Sequence, residues 1–140
     1  MLSRVPFRDI LNRERYEYFN GTTFQPDISS CKPVMGGFQH GSIYPSSLFG
    51  PGAGKDWVFV GCNSFADSTV HIGVAPGPEG PWDFRPLIPA PPKERYEDTQ
   101  FTYCMFAHPW AGDESKGELM VSWSEGGMRG RVVAVKVLLG

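Results

Sequence analysis

Three side chains in this chain could move a proton where a ligand would meet it: His40, His108 and Glu125. An imidazole titrates near neutral pH, so it can hydrogen-bond a carbonyl or hydroxyl or pass a proton either way. His40 stands just before one apolar, strand-like run, and His108 just after another, in His108-Pro109-Trp110. Glu125 closes Val121-Ser122-Trp123-Ser124, where a strand tip could present its carboxylate to a pocket. Tyr44, Tyr103 and Trp110 would supply aromatic walls, and Asn63 a further ligand-binding amide. Each has a plainer alternative: histidines satisfied by loop backbone, a glutamate solvated in a turn, aromatics packed in a core. His71 is strand-interior and reads as structural.

Other chemistries find little footing. The three histidines are dispersed without a short-range ligand pair, so no metal and no cofactor is expected. Cys31, Cys62 and Cys104 are odd in number and form no C-x-x-C. Cys62 and Cys104 fall in apolar runs, where a cysteine packs as a small hydrophobe. Neither Ser46-Ser47 nor Ser122 sits in a G-x-S-x-G elbow, and no helix follows Gly50, Gly52 and Gly54 to make a phosphate cradle.

The elements that must position these residues are short strands. A faint repeat organises them: 103 − 42, 118 − 57 and 131 − 70 all give 61. That offset sets Ser42-Ile43-Tyr44 against Tyr103-Cys104-Met105, Trp57-Val58-Phe59 against Glu118-Leu119-Met120, and Val70-His71-Ile72 against Arg131-Val132-Val133. Three runs kept in register argue for one supersecondary unit used twice, as in propellers. The first unit reads as strands over 42–49, 57–63, 70–75 and 84–88, and the second as strands over 101–107, 118–124 and 131–139. A hairpin signal, Asn20-Gly21 between 15–19 and 22–25, precedes them, and 9–15 hints at a helical turn. The resulting organisation is an N-terminal hairpin and Gly/Pro loop over 1–37, a full blade with a Pro-rich linker over 38–92, and a three-stranded blade over 93–140.

The expected fold class is therefore all-β: antiparallel propeller blades, about two with a leading hairpin, as part of a larger ring. A small sandwich or barrel uses the same short strands and stays open as the alternative. In Val58-Phe59-Val60 and Val132-Val133-Ala134-Val135 both faces are apolar, which predicts sheets covered on both sides.

Length and composition agree. The 140 residues allow one domain with a real core, and 17 Gly with 13 Pro are too many breakers for a helical bundle. The formal charge is −2 and the basic residues are scattered, so nucleic acid is not an expected partner. No run approaches a membrane span and no signal-like apolar stretch opens the chain, which reads as cytoplasmic.

Several segments carry a family resemblance. Gly41-Ser42-Ile43-Tyr44, Asp56-Trp57-Val58-Phe59-Val60-Gly61, Glu79-Gly80-Pro81-Trp82, His108-Pro109-Trp110-Ala111 and Leu119-Met120-Val121-Ser122-Trp123-Ser124-Glu125 resemble the C-terminal blades of fungal proteins with a glycosidase-like five-bladed propeller. The Glu-Gly-Pro-Trp turn is similar to a strand-connecting turn of arabinanase- and xylosidase-type propellers. The resemblance covers roughly residues 38–139. It implies catalytic carboxylates on the innermost strand of each blade, yet the two innermost runs here hold no Asp or Glu.

Three functions follow. The first is a small-molecule-binding or catalytic propeller-type protein, including a non-hydrolytic cyclisation catalyst of the hetero-Diels–Alder kind from fungal secondary metabolism. The second is a glycoside hydrolase-like protein acting on a sugar, with Glu125, His108 and His40 as catalytic candidates. The third is an inactive propeller fragment or interaction module. The expected partners are a polyketide, terpenoid or sugar ligand and, through exposed blade edges, further copies of the chain.

Overall fold

The computed structural model describes residues 1–62, 68–89, 103–125 and 130–140, with Tyr103 described by its backbone alone. Ten strands fall into three antiparallel sheets, and no α-helix occurs among the described residues. The chain is all-β.

The first sheet joins β1 (Ser3–Arg4), β2 (Glu17–Phe19) and β3 (Phe24–Gln25). The Asn-Gly hairpin forms one residue later than expected. Asn20 N–H donates to the Thr23 carbonyl, which centres the turn on Gly21-Thr22, with Gly21 at φ +98°. The Asn20 side-chain oxygen accepts from the backbone of Thr22 and Thr23, so it braces the turn instead of forming its centre. The helical hint over 9–15 resolves into two 3-10 turns, Phe7–Asp9 and Arg13–Arg15.

The second sheet is a meander of β4 (His40–Pro45), β5 (Trp57–Cys62), β6 (Val70–Ala75) and β7 (Asp83–Ile88). Glu79-Gly80-Pro81-Trp82 is the turn from β6 into β7. The third sheet is the meander β8 (Tyr103–Ala107), β9 (Glu118–Glu125) and β10 (Arg131–Leu138). The linker boundary at 92/93 lies outside the described residues.

The two meanders repeat one another, but a uniform shift is one residue larger than the sequence offset. All five β5/β6 pairs, from Trp57↔Ala75 to Gly61↔His71, map onto observed β9/β10 pairs, from Leu119↔Val137 to Trp123↔Val133; 119 − 57 and 137 − 75 both give 62. β8 runs two residues further still, since Ser122 faces Phe106 rather than Cys104. A bulge between Tyr103 and Phe106, with Cys104 at φ +56°, absorbs the difference. One residue matters because it exchanges the faces of a strand. The pairs fix only the sum of the two strand shifts. A shift of 61 for β5/β9 with 63 for β6/β10 fits them equally and matches Val58, Val60 and Cys62 with Leu119, Val121 and Trp123, whereas 62 throughout matches them with Met120, Ser122 and Ser124.

The core lies between the meanders. Val58, Val60, Cys62, Val70 and Ile72 pack against Met105, Ala107, Leu119, Val121 and Trp123 in one buried cluster. β4 lies beside β8 and runs the same way: Met105 N–H donates to His40 Nδ1 at 3.2 Å and Ala107 N–H to Ser42 Oγ at 3.0 Å. These bonds satisfy backbone donors that β9 does not reach.

The far face of the four-stranded meander is covered too. Phe59 lies over Gly41 and Gly61, Phe84 over Gly73, and Phe38 sits 4.5 Å from both rings. A Cβ on Gly61 would come within 2.5 Å of the Phe59 ring and 2.8 Å of the Gly41 backbone, so only glycine fits beneath the aromatics. Cover on both faces therefore holds for β5. It fails for β10, where Val132 is 74% exposed and Ala134 is open, because no described element packs on the outer face of the three-stranded meander. Cys104 also departs from expectation: the bulge turns it outward and it is exposed, while Cys62 is buried. None of the three cysteines forms a disulfide.

Candidate functional site

Two of the residues singled out in the sequence meet on the open face of the three-stranded meander. His108 continues the β8/β9 ladder, its N–H donating to the Met120 carbonyl at 2.9 Å. That register puts Phe106, His108, Met120 and Ser122 on one face, opposite the buried Met105 and Ala107. Pro109 then starts the 3-10 turn Pro109–Ala111, closed by Ala111 N–H donating to the His108 carbonyl. The turn projects Trp110, 73% exposed, perpendicular to the imidazole with centroids 5.1 Å apart. Phe106, 47% exposed, flanks the same imidazole at 5.3 Å.

His108 Nε2 and Ser122 Oγ are 2.7 Å apart. Either the imidazole donates to the hydroxyl or the hydroxyl donates to the imidazole; both tautomers fit. Among the described residues His108 Nδ1 meets no hydrogen-bonding partner, which leaves it to face a ligand. Phe106 and Ser122 were not among the expected site residues. Ser122 was dismissed for want of an elbow, but period-2 alternation through Val121-Ser122-Trp123 sets it on the side opposite the core, where His108 lies.

The other candidates are placed elsewhere. His40 does not join His108. With β4 and β8 side by side and His40 level with Met105, His108 lies three residues further along, roughly 10 Å, and on the other face. His40 Nδ1 accepts from Met105, so its Nε2, 3.2 Å from Cys62 Sγ, carries the proton toward the sulfur. Burial holds the His40 pKa below its usual value, in keeping with a neutral imidazole.

Glu125 is buried at the end of β9. It is 7% exposed, its Oε1 accepts from the Trp123 indole at 2.9 Å, and its Oε2 meets the Arg131 guanidinium at 3.3 Å. β10 brings that arginine directly opposite in register. The carboxylate is thus engaged from two sides by groups of its own sheet.

Tyr44 also turns inward, pairing with Val58, and its hydroxyl is buried with no hydrogen-bond partner among the described residues. Burial first, and the charge of Glu114 second, push its pKa up. Burial alone would raise the Glu114 carboxyl as well. Bonds from Ser46 Oγ at 2.7 Å and from Ser47 N–H and Oγ, each at 2.8 Å, outweigh that and hold it below its usual range. Glu114 thereby ties the end of β4 to the connection that precedes β9. Tyr103 lies in β8, described by its backbone alone, and Asn63 lies outside the described residues.

Among the described residues no group of three His, Cys, Asp or Glu side chains could hold a metal ion, and no helix is long and apolar enough to cross a membrane. No protein-family model and no curated protein matches the chain.

Proposed function

We propose that this chain is a section of a β-propeller, two blades preceded by a hairpin sheet, that binds a small hydroxylated ring compound without hydrolysing it. The backbone repeat supports the blade relation. A uniform shift of 62, which the β5/β6 and β9/β10 pairs allow, would make the core face of the first meander equivalent to the open face of the second, as between successive blades about an axis. The adjacency of β4 and β8, the first strand of each meander, suits an innermost position for both. The same reading keeps the likeness to the C-terminal blades of glycosidase-like fungal propellers.

The observation that carries the ligand is the His108–Ser122 contact at 2.7 Å beside an open Trp110. A flat ring stacks on the indole, while the imidazole and hydroxyl meet its oxygen substituents. Hydrolysis of a glycoside would need two carboxylates across the sugar. Glu125 and Glu114 are instead held by Trp123 and Arg131 and by Ser46 and Ser47, and Glu118 by Lys136. A polyketide ring meets the same chemistry as a sugar, and the patch could steer its cyclisation without any acid pair.

Titration with methyl glucoside and with resorcinol, followed by tryptophan fluorescence, tests the proposal. Saturable binding is expected for at least one probe, and Trp110→Ala should weaken it about tenfold or more, with the melting temperature held. Binding unchanged in Trp110→Ala, or no binding of either probe, would sink it. Cleavage of an aryl glycoside that disappears in Glu125→Gln would overturn the non-hydrolytic part alone.

A further inference from the structure

A second cleft, remote in character from the His108 patch, opens between the meanders. It encloses about 230 Å³ and its walls are Phe49, Ile72, Val74, Leu87 and Leu139. Ile72 and Val74 come from the inner face of β6, Leu87 from β7, and Leu139 from the chain just beyond β10. The space exists because the first meander has a fourth strand, β7, where the described part of the second ends at β10.

The rim is polar and its charge is uneven. Lys55, Arg85 and Asp83 line the same cleft, two cations against one carboxylate. Arg85 donates to Asp83 at 3.2 Å, but the two side chains are 78% and 61% exposed, so the bond is weak and readily exchanged. Lys55 Nζ stands 5.4 Å from the Phe49 ring and meets no carboxylate within ion-pair distance among the described residues. An apolar floor under an excess cation selects a molecule with a hydrophobic body and one negative group. The volume is below the roughly 300–1,000 Å³ of pockets for drug-sized ligands, which limits the occupant to a short chain or a single ring.

We infer that this cleft is a binding site for a small amphipathic carboxylate, its apolar body against Ile72, Val74 and Leu87 and its carboxylate at Lys55. The inference is independent of the His108 patch and neither stands on the other.

Octanoate is the probe, with 1-octanol as its uncharged counterpart, read by methyl NMR of the whole chain. Octanoate should shift the methyl resonances of Ile72, Val74 and Leu87 saturably in the millimolar range, about threefold more tightly than 1-octanol. Lys55→Gln should remove most of that difference and leave the melting temperature unchanged. Leu87→Asp, which sets a carboxylate in the wall, should abolish binding; because it could also loosen β7, Arg85→Gln serves beside it and should weaken octanoate without affecting 1-octanol. Equal affinities for the two probes, an unaltered preference in Lys55→Gln, or shifts centred on Val132 and Trp110 would each overturn the assignment.

Discussion

The two meanders share strand order and the register of their second and third strands, yet one is covered on both faces and the other on one. In the four-stranded meander Phe38, Phe59 and Phe84 fill a surface of glycines, so even the face turned from the core is dry. In the three-stranded meander the face turned from the core is open, and Phe106, Trp110 and Val132 stand in it. A repeated backbone therefore does not dictate a repeated environment. What decides is whether a neighbouring segment, here the approach of Phe38 to β4, lies over the sheet. The proposed ligand patch lies on the uncovered side, where side chains are accessible.

The largest effect should separate the faces of the second meander. Leu119 is 2% exposed in the shared core, whereas Leu138, on the opposite face, is 70% exposed. Leu119→Ala should cost about 3 kcal/mol through lost burial and a residual cavity. Leu138→Ala should change stability by less than about 0.5 kcal/mol. Denaturant unfolding of both variants measures the contrast, and similar losses would mean that the outer face is as packed as the inner.

Glu125 offers a smaller and more discriminating break. Glu125→Ala strips the Trp123 indole N–H of its acceptor inside the sheet and should cost about 2 kcal/mol. Glu125→Gln keeps an acceptor for the indole and weakens the attraction to Arg131, whose side chain is 65% exposed, so about 1 kcal/mol or less is expected from that pair. Thermal melts rank the two. Equal losses would assign the role to charge instead of to the indole bond.

Much of this contrast was legible in the chain. Alternation and turn residues placed β4 to β10 within a few residues, because strands bounded by Gly, Pro and Asn announce their ends. The repeat was visible too, but apolar similarity drew it to 61, since it aligns what is buried and not what is paired. Val132-Val133-Ala134-Val135 has the composition of a covered strand, and composition cannot tell whether a neighbour arrives. The site was half legible. His108-Pro109-Trp110 stood out, but Phe106 and Ser122 join it only through the β8/β9 register. The expected meeting of His40 with His108 did not follow, because a strand separates their faces.

His40 lets pH probe the joint between the meanders. Its Nδ1 can accept the Met105 N–H only while unprotonated, and burial lowers its pKa in the folded protein. On acidification the unfolded chain takes up the proton first, from about 6.5 downward, the ordinary histidine value. The stabilisation is therefore complete above that pH and is lost as pH falls toward the depressed folded value. Unfolding free energies measured between pH 8 and 5 should decline below 6.5, and His40→Gln, which still offers an acceptor, should flatten that decline. A decline of the same size in His40→Gln would move the sensitivity to another group.

The smallest effect expected in the isolated chain bears most directly on the open face. Val132, 74% exposed at the start of β10, faces away from the core, so Val132→Asp should leave the melting temperature of a dilute sample nearly unchanged, within about 0.5 kcal/mol. If further copies of the chain cover that face, the outcome differs in kind. The unmodified protein would then melt higher as its concentration rises, by mass action, and Val132→Asp would remove that dependence by burying an unpaired charge in the contact. Melts across a hundredfold range of concentration distinguish a sheet that ends at water from one that packs against another copy. Only the first leaves the His108–Ser122 patch open to a ligand without further assembly.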